Sequence, residues 1–246
     1  MTARNCTCVA VGLVAVSGLL YGLHYLLFRD LHHILLYLVG DLAFLPLQVL
    51  IVTLVIDRLL AAREKAERNR KLNMVIGAFF GATGHQLLRQ LAPVAEEREE
   101  IAAHLDLDLK WTETQIRQAM AWCRDRRFHM RADPEALARL RELLVEGRAF
   151  LLGLLENPLL LEHDTFTDLL WAVTHLAEEL AARDDLTALP TADYQHLAAD
   201  MERAYTQLQV QWLQYMVHLR RDYPYLYSFA ARTNPLRPGA RPEIEE

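Results

Sequence analysis

Apolar residues are concentrated in two long runs near the N-terminus of the chain. The runs cover Thr7–Phe28 and Ile34–Ile56, and only the link Arg29–His33 lies between them. A helix rises about 1.5 Å per residue, so each run is long enough to cross the ~30 Å hydrocarbon core of a bilayer. The first run is also longer than the apolar stretch of a signal peptide. The pattern therefore predicts a transmembrane helical hairpin over residues 1–56.

Beyond Ile56 the sequence becomes more polar, and its apolar residues recur at helical spacing. Alternating runs typical of strands do not stand out, and Ala, Leu, Glu, Arg and Gln dominate, as they do in helices. The chain is therefore predicted to be all-α. We expect a basic juxtamembrane helix over 57–72, a cytosolic helical domain over 73–232 and a disordered, proline-containing tail over 233–246.

Several helix ends in the second region are readable from the residues that begin helices. The predicted starts are Thr112, Asp133-Pro134, Thr165 with Asp168 as a capping box, and Pro190-Thr191. The helix opened by Asp133 is expected to run through Glu156. The segment Asn73–Ala92 is either the first core helix or a helix in the membrane interface, and its apolar residues favour the core. The four tryptophans are expected to pack in the core.

Basic residues follow the second apolar run closely. They are Arg58, Arg63, Lys65, Arg68, Arg70 and Lys71, and they outnumber the acidic residues of 57–72. Positive residues beside a membrane span stay in the cytoplasm, so both termini are predicted to be cytoplasmic in a cell inner membrane. Residues 73–246 carry the acidic excess behind the net charge of −6. This distribution favours the lipid bilayer as a partner, with anionic headgroups as possible ligands of the basic residues, and argues against nucleic acid.

One acidic residue, Asp41, lies inside the second apolar run. A charged side chain near the bilayer centre costs at least ~2.5–3.5 kcal/mol on insertion scales if it is unpaired. Counted from Leu31 as the centre of the link, Tyr21 and His24 lie at a similar depth on the first span. A hydrogen bond from Tyr21 or His24 would relieve the cost and set the register of the hairpin. The alternative is an ion or proton site in an oligomer.

A second group of polar residues has a spacing that suits metal ligands. Asp168, His175 and Glu179 share one face of a predicted helix, and Asp193, His196 and Asp200 share a face of the next. Glu-x-x-His motifs bind metals in four-helix bundles, but the order here is reversed. Capping by Asp168 and solvated faces for the other residues are the simpler interpretation.

No catalytic motif, phosphate-binding loop or cofactor site stands out, so an enzyme is the less favoured class. The favoured function is a two-pass membrane protein whose cytosolic domain is an interaction, scaffold or regulatory module for a protein partner or a second copy. The alternatives are an oligomeric ion channel or transporter subunit that uses Asp41, and a membrane-anchored metalloenzyme.

Three stretches support the same architecture by resemblance. Lys71–Phe80, Glu162–Leu180 and Asp222–Leu236 resemble a group of uncharacterised prokaryotic membrane proteins with two N-terminal spans and a helical cytosolic region. The group has Ser-Glu after its Phe pair, where this chain has Gly81-Ala82. The resemblance implies the architecture and no particular activity or site residue.

Overall fold

The protein is almost entirely helical. The computed structural model describes residues 3–244, with side chains for 11–160 and 163–244. The helices are α1 (Ala3–Phe28), α2 (Leu31–Phe79), α3 (His85–Leu91), α4 (Arg98–His104), α5 (Glu113–Asp125), α6 (Pro134–Glu146), α7 (Arg148–Leu155), α8 (Asp164–Ala181), α9 (Thr191–Asp222) and α10 (Pro224–Arg232). A π-helical turn covers Phe80–Gly84, and 3₁₀ turns cover Ala92–Val94 and Pro158–Glu162. Over 3–244 there is no strand, which confirms the all-α prediction.

Two compact units divide the chain, Met1–Lys65 and Ala66–Glu246, and the division lies within α2. The predicted juxtamembrane helix 57–72 is thus part of one continuous helix.

In the first unit the link between α1 and α2 is shorter than expected. It consists of Arg29 and Asp30 only, because Asp30 Oδ1 accepts a hydrogen bond from His33 N at 3.1 Å and so begins α2 early. Arg29 makes the turn with a positive φ of 49°.

The apolar residues of the first unit lie on its surface. Two helices are long and apolar enough to cross a membrane, judged by length and composition, and none of the most apolar stretch of either is buried. Leu19, Leu26, Val39 and Leu42 are typical, each more than half exposed. The membrane hairpin therefore remains a prediction that these exposed surfaces suggest.

The second unit is built around α9, its longest helix. Helices α3, α5, α8 and α10 pack against α9, and α6 and α7 pack against α8. The predicted apolar face of α8 is buried as expected, namely Phe166, Leu169, Leu170, Val173, Leu176 and Leu180. The segment Asn73–Ala92 also joins this core, because Phe79, Phe80 and Leu88 have no exposed surface.

Most helix starts follow the capping residues. Thr112 and Gln115 form a capping box at α5, and Asp133 Oδ1 accepts from Ala136 N at 2.9 Å at α6. The start of α8 differs from the prediction, because His163 Nδ1 accepts from Phe166 N at 3.2 Å while Thr165 makes no capping bond. The predicted helix through Glu156 is divided at Gly147, a residue that weakens helices.

The C-terminal segment differs from the disordered tail that the sequence predicts. Asn234 is 1% exposed, donates from Nδ2 to Leu105 O at 2.8 Å, and accepts from Leu236 N at 3.0 Å. Leu236 is itself buried, so this stretch packs on the second unit because it satisfies backbone groups there. Trp171 also departs from expectation, since it is 60% exposed on α8 instead of buried.

Candidate functional site

Two histidines and two carboxylates meet where α8 packs on α9. His175 and Glu179 lie one turn apart on α8, and His196 and Asp200 lie one turn apart on α9. Side chains four residues apart share a helix face, so each helix contributes a pair to the contact. The structure thereby brings together members of the two groups that the sequence suggested as metal ligands.

The centre of this cluster is Asp200. Its Oδ2 lies 3.3 Å from His175 Nε2 and 3.4 Å from His196 Nε2. One potential ligand atom from each of these three residues lies within 4.8 Å of the other two. Asp200 is 2% exposed, yet its Oδ2 accepts no hydrogen bond, so the two short contacts do not have hydrogen-bond geometry.

The carboxylates are held from behind by two arginines. Arg203 Nη1 donates to Asp200 Oδ1 at 2.9 Å, which leaves Oδ2 directed toward the imidazoles. Arg183 Nη1 donates to Glu179 Oε2 at 2.7 Å, and this hydrogen bond lowers the pKa of the Glu179 carboxyl. Glu179 also lies beside both rings, at 3.5 Å from His196 Nε2 and 3.9 Å from His175 Nε2.

Two of the predicted residues lie outside the cluster. Asp193 Oδ1 accepts from Arg183 Nη2 at 3.3 Å and so belongs to the supporting ion pairs. Asp168 is exposed and borders a surface groove with Arg124 and Gln211. Asp168 lies two turns before His175, where α8 no longer faces the His196 turn of α9. Sequence spacing placed it on the correct helix face but could not show where the neighbouring helix lies.

A stronger sign of the site was present in α9. Asp200 occupies an apolar position, since Leu197, Met201 and Ala204 around it are all buried. Burying a carboxylate at a core-facing position costs free energy unless the carboxylate has a partner. This cost identifies Asp200 as a candidate site residue more clearly than its spacing to His196 does. Arg183 and Arg203 were missed although their spacing could have found them, because they follow Glu179 by four residues and Asp200 by three.

A second polar contact, between His85 and Trp212, lies in the core of the same unit. Trp212 is completely buried, and its Nε1 donates to His85 Nε2 at 3.2 Å. Burial, with a smaller contribution from Arg89, lowers the pKa of His85 to about 4. The imidazole is therefore neutral near pH 7 and acts as an acceptor. Sequence analysis found no role for His85, because its partner lies far away in the chain.

The three polar residues of the hairpin do not meet as predicted. Within the described part of the chain Asp41 is exposed and makes no hydrogen bond or ion pair with Tyr21 or His24. His24 stacks instead on His33, with ring centroids 6.0 Å apart. The two-residue link moves the hairpin centre to Arg29-Asp30, so Asp41 lies level with Gly18, about three residues deeper than Tyr21, or ~4.5 Å.

The basic residues predicted to face lipid headgroups are exposed along the middle of α2. They are Arg58, Arg63, Lys65, Arg68, Arg70 and Lys71. Lys71 forms an ion pair with Glu67 at 2.8 Å, one turn earlier. An exposed pair of this kind adds little to stability.

Comparisons with known proteins agree with the division into two helical parts. Residues 68–232 match the family described as "Uncharacterized protein MJ1433, C-terminal helical domain", and residues 3–60 match "MJ1433, N-terminal helical domain". "Uncharacterized protein MJ1433" of Methanocaldococcus jannaschii is 40% identical over 227 residues, which are 92% of this chain and 91% of that protein. No solved structure matches the chain. The predicted resemblance is thus confirmed for an uncharacterised helical family, and the chain belongs to the MJ1433 family.

Proposed function

We propose that this chain is a two-pass membrane protein whose helical second unit binds a partner protein in the cytoplasm. The observation that carries the proposal is the exposure of the apolar residues of α1 and of the first half of α2. Apolar surface in water costs about 25 cal/mol per Å², and none of the described side chains of the first unit covers these residues. A bilayer supplies the missing apolar environment.

The orientation follows from the charge beside the second span. Arg58, Arg63 and Lys65 come directly after the apolar part of α2, and residues of this kind are retained in the cytoplasm. The second unit then lies in the cytoplasm. Two spans return the N-terminus to the same side.

The binding role of the second unit is supported by its surface. Helix α10 buries Tyr227 but exposes Tyr225, Leu226 and Phe229 on its other side, with Tyr225 70% exposed. Aromatic side chains dominate the buried centres of protein interfaces, so this exposed face, called here the α10 face, fits an apolar patch on a partner protein. An interaction role also requires no catalytic group.

We expect single cysteines at His32, Pro238 and Tyr225 to report both topology and partner binding. Each is placed in a chain that lacks Cys6, Cys8 and Cys123. A membrane-impermeant maleimide should label His32→Cys in intact cells and leave Pro238→Cys unlabelled, because the start of α2 beside the link lies outside and the C-terminal segment inside. In inverted vesicles the pattern should reverse. Labelling of Pro238→Cys from outside would contradict the orientation.

The same labelling reagent tests for partner binding. In inverted native vesicles Tyr225→Cys should react at least about tenfold more slowly than in the purified protein, because the partner covers the α10 face. Pro238→Cys is the matched control, since both residues are exposed in the second unit and only Tyr225 is on this face. Because Tyr225→Cys removes an aromatic side chain of the α10 face, Leu226→Cys, which keeps Tyr225, is labelled in parallel. Equal rates in vesicles and in purified protein for both variants would rule out a partner at this face.

A second candidate, an oligomeric ion channel or transporter subunit, is favoured by one observation at Asp41. This exposed carboxylate lacks a partner within the described chain, so in a bilayer it must face a water-filled or protein interior. Copies of the hairpin around a common axis would provide one.

Under this candidate Asp41→Asn and Asp41→Leu should both abolish ion flux in liposomes while the protein still inserts. Gln48→Leu, which removes an uncharged polar group from the same span, is the control and should keep the flux. Wild-type liposomes that conduct no better than empty ones would reject the candidate. Flux that survives in both Asp41 variants would reject it as well.

A further inference from the structure

We propose that His175, His196 and Asp200 form a binding site for one divalent transition-metal ion of the zinc class, at the contact between α8 and α9. The site is independent of the membrane proposal, because all of its residues lie in the second unit. It assigns a ligand to a unit whose matching family is described only as a helical domain.

The distances in the cluster match the size of such an ion. Bonds of ~2.0–2.1 Å from zinc to nitrogen or oxygen place neighbouring ligand atoms of a tetrahedron about 3.3 Å apart. The two contacts of Asp200 Oδ2, to His175 Nε2 and His196 Nε2, are 3.3 and 3.4 Å. One ligand atom from each of the three residues lies within 4.8 Å of the other two, so one ion can bind all three after the side chains adjust.

The hydrogen bonding of Asp200 also indicates a missing ligand. A buried carboxylate oxygen normally accepts a hydrogen bond, yet Oδ2 accepts none while Arg203 occupies Oδ1. Both imidazoles present Nε2 to this oxygen without bonding geometry. A cation between the three atoms bonds to the carboxylate oxygen and to the lone pair of each neutral ring nitrogen. A simple ion pair does not use these lone pairs.

The donor set defines the class of metal. Two imidazoles and one carboxylate suit zinc, cobalt, nickel or ferrous iron, whereas magnesium and calcium prefer oxygen ligands alone. The His175 and His196 side chains are 43% and 50% exposed, so a fourth coordination position opens to solvent. Three protein ligands with one open position are typical of catalytic zinc sites. Glu179 Oε2 lies 3.5 Å from His196 Nε2, next to the proposed ligands.

The supporting residues orient the ligands as outer partners do in known metal sites. Arg203 fixes Asp200, and Arg183 fixes Glu179. Loss of such partners usually weakens metal affinity by about 10–100-fold, so Arg203→Met should show a smaller loss than replacement of a ligand.

The test is a titration of the full chain, purified in detergent without a histidine tag and stripped with a chelator. Cys6 and Cys8 are replaced by serine in every sample, so that thiol binding is not counted. We expect one equivalent of Zn²⁺ or Co²⁺ to bind at pH 7.5, with cobalt absorption bands typical of nitrogen and oxygen ligands.

Variants separate the proposed site from nonspecific binding. His175→Ala, His196→Ala and Asp200→Asn should each lower affinity by about 100-fold or more, beyond the effect of an outer partner. The two histidine variants remove exposed rings, and circular dichroism should show that they fold even if Asp200→Asn does not. His129→Ala is the control, because it removes an exposed histidine paired with Glu97 elsewhere in the unit. The proposal fails if the wild type binds no stoichiometric metal, or if a His175→Ala/His196→Ala chain binds as the wild type does.

Discussion

Gly84→Ala is expected to destabilise the second unit by about 1–3 kcal/mol, the typical cost of overpacking a core. A methyl group at Gly84 would lie 2.6 Å from Phe80 Cδ1 and 2.8 Å from Phe79 Cε1. Neither ring can move aside, because both are completely buried. Phe79 packs edge-on against Phe166 at 5.5 Å, and Phe80 stacks on Tyr215 at 5.6 Å.

Gly81→Ala provides the matched control in the same π-helical turn. A methyl group there meets nothing within 4 Å, and the site is exposed. Alanine restricts the unfolded chain more than glycine, so this variant should be neutral or more stable by about 0.5–1 kcal/mol. The two substitutions are chemically identical, and only Gly84→Ala should destabilise the second unit.

Urea unfolding of the full chain in detergent measures both variants. All four tryptophans lie in the second unit, so tryptophan fluorescence reports its unfolding alone. Equal midpoints for Gly84→Ala and Gly81→Ala would show that the close packing of Phe79 and Phe80 on Gly84 is not maintained in solution.

His85 is expected to make the second unit lose up to about 3 kcal/mol of stability between pH 7 and pH 4. Burial lowers its folded-state pKa to about 4, whereas an unfolded histidine has a pKa near 6.5. Between these values the unfolded chain binds more protons than the folded one, so stability falls as the pH falls. The stability is fully present above pH 6.5 and levels off below pH 4.

His85→Gln isolates this contribution, because glutamine keeps an acceptor for Trp212 Nε1 but does not titrate in this range. The variant should be less stable than the wild type at pH 7, through imperfect packing, and the difference should shrink or reverse toward pH 4. Unfolding free energies from urea titrations at pH 7, 5.5 and 4 provide the comparison. A difference that stays constant with pH would mean that His85 is not held neutral by the core.

Local features of the fold were predictable because they depend on neighbouring residues. Thr112 and Asp133 cap their helices as expected, and the spacing of Phe166 to Leu180 gave the buried face of α8. Capping at His163 was missed because histidine is an uncommon capping residue. The sequence did not predict that Asn234–Leu236 is ordered, because Asn234 donates its hydrogen bond to Leu105, 129 residues earlier.

The hairpin shows how a small local error propagates. Sequence alone gave two apolar runs long enough to cross a bilayer, but the link between them was assigned five residues instead of two. Since each residue adds about 1.5 Å of rise, the shorter link changes which residue of α1 lies opposite each residue of α2. The predicted contacts of Asp41 are therefore lost. The depth of Asp41 within the second apolar run is unaffected, because it depends only on that run.

By itself the sequence determined the all-α class, the two apolar runs, the basic group beside them and the residue types of the proposed metal site. Each of these follows from composition or from spacing along one helix. Only the tertiary structure decided that His175 meets His196 and Asp200 while Asp168 does not, and that His85 meets Trp212. Contacts between helices depend on which faces pack together and on how far one helix is shifted along the other. The helical period of a sequence specifies which residues share a face of one helix, but not which helix packs against that face.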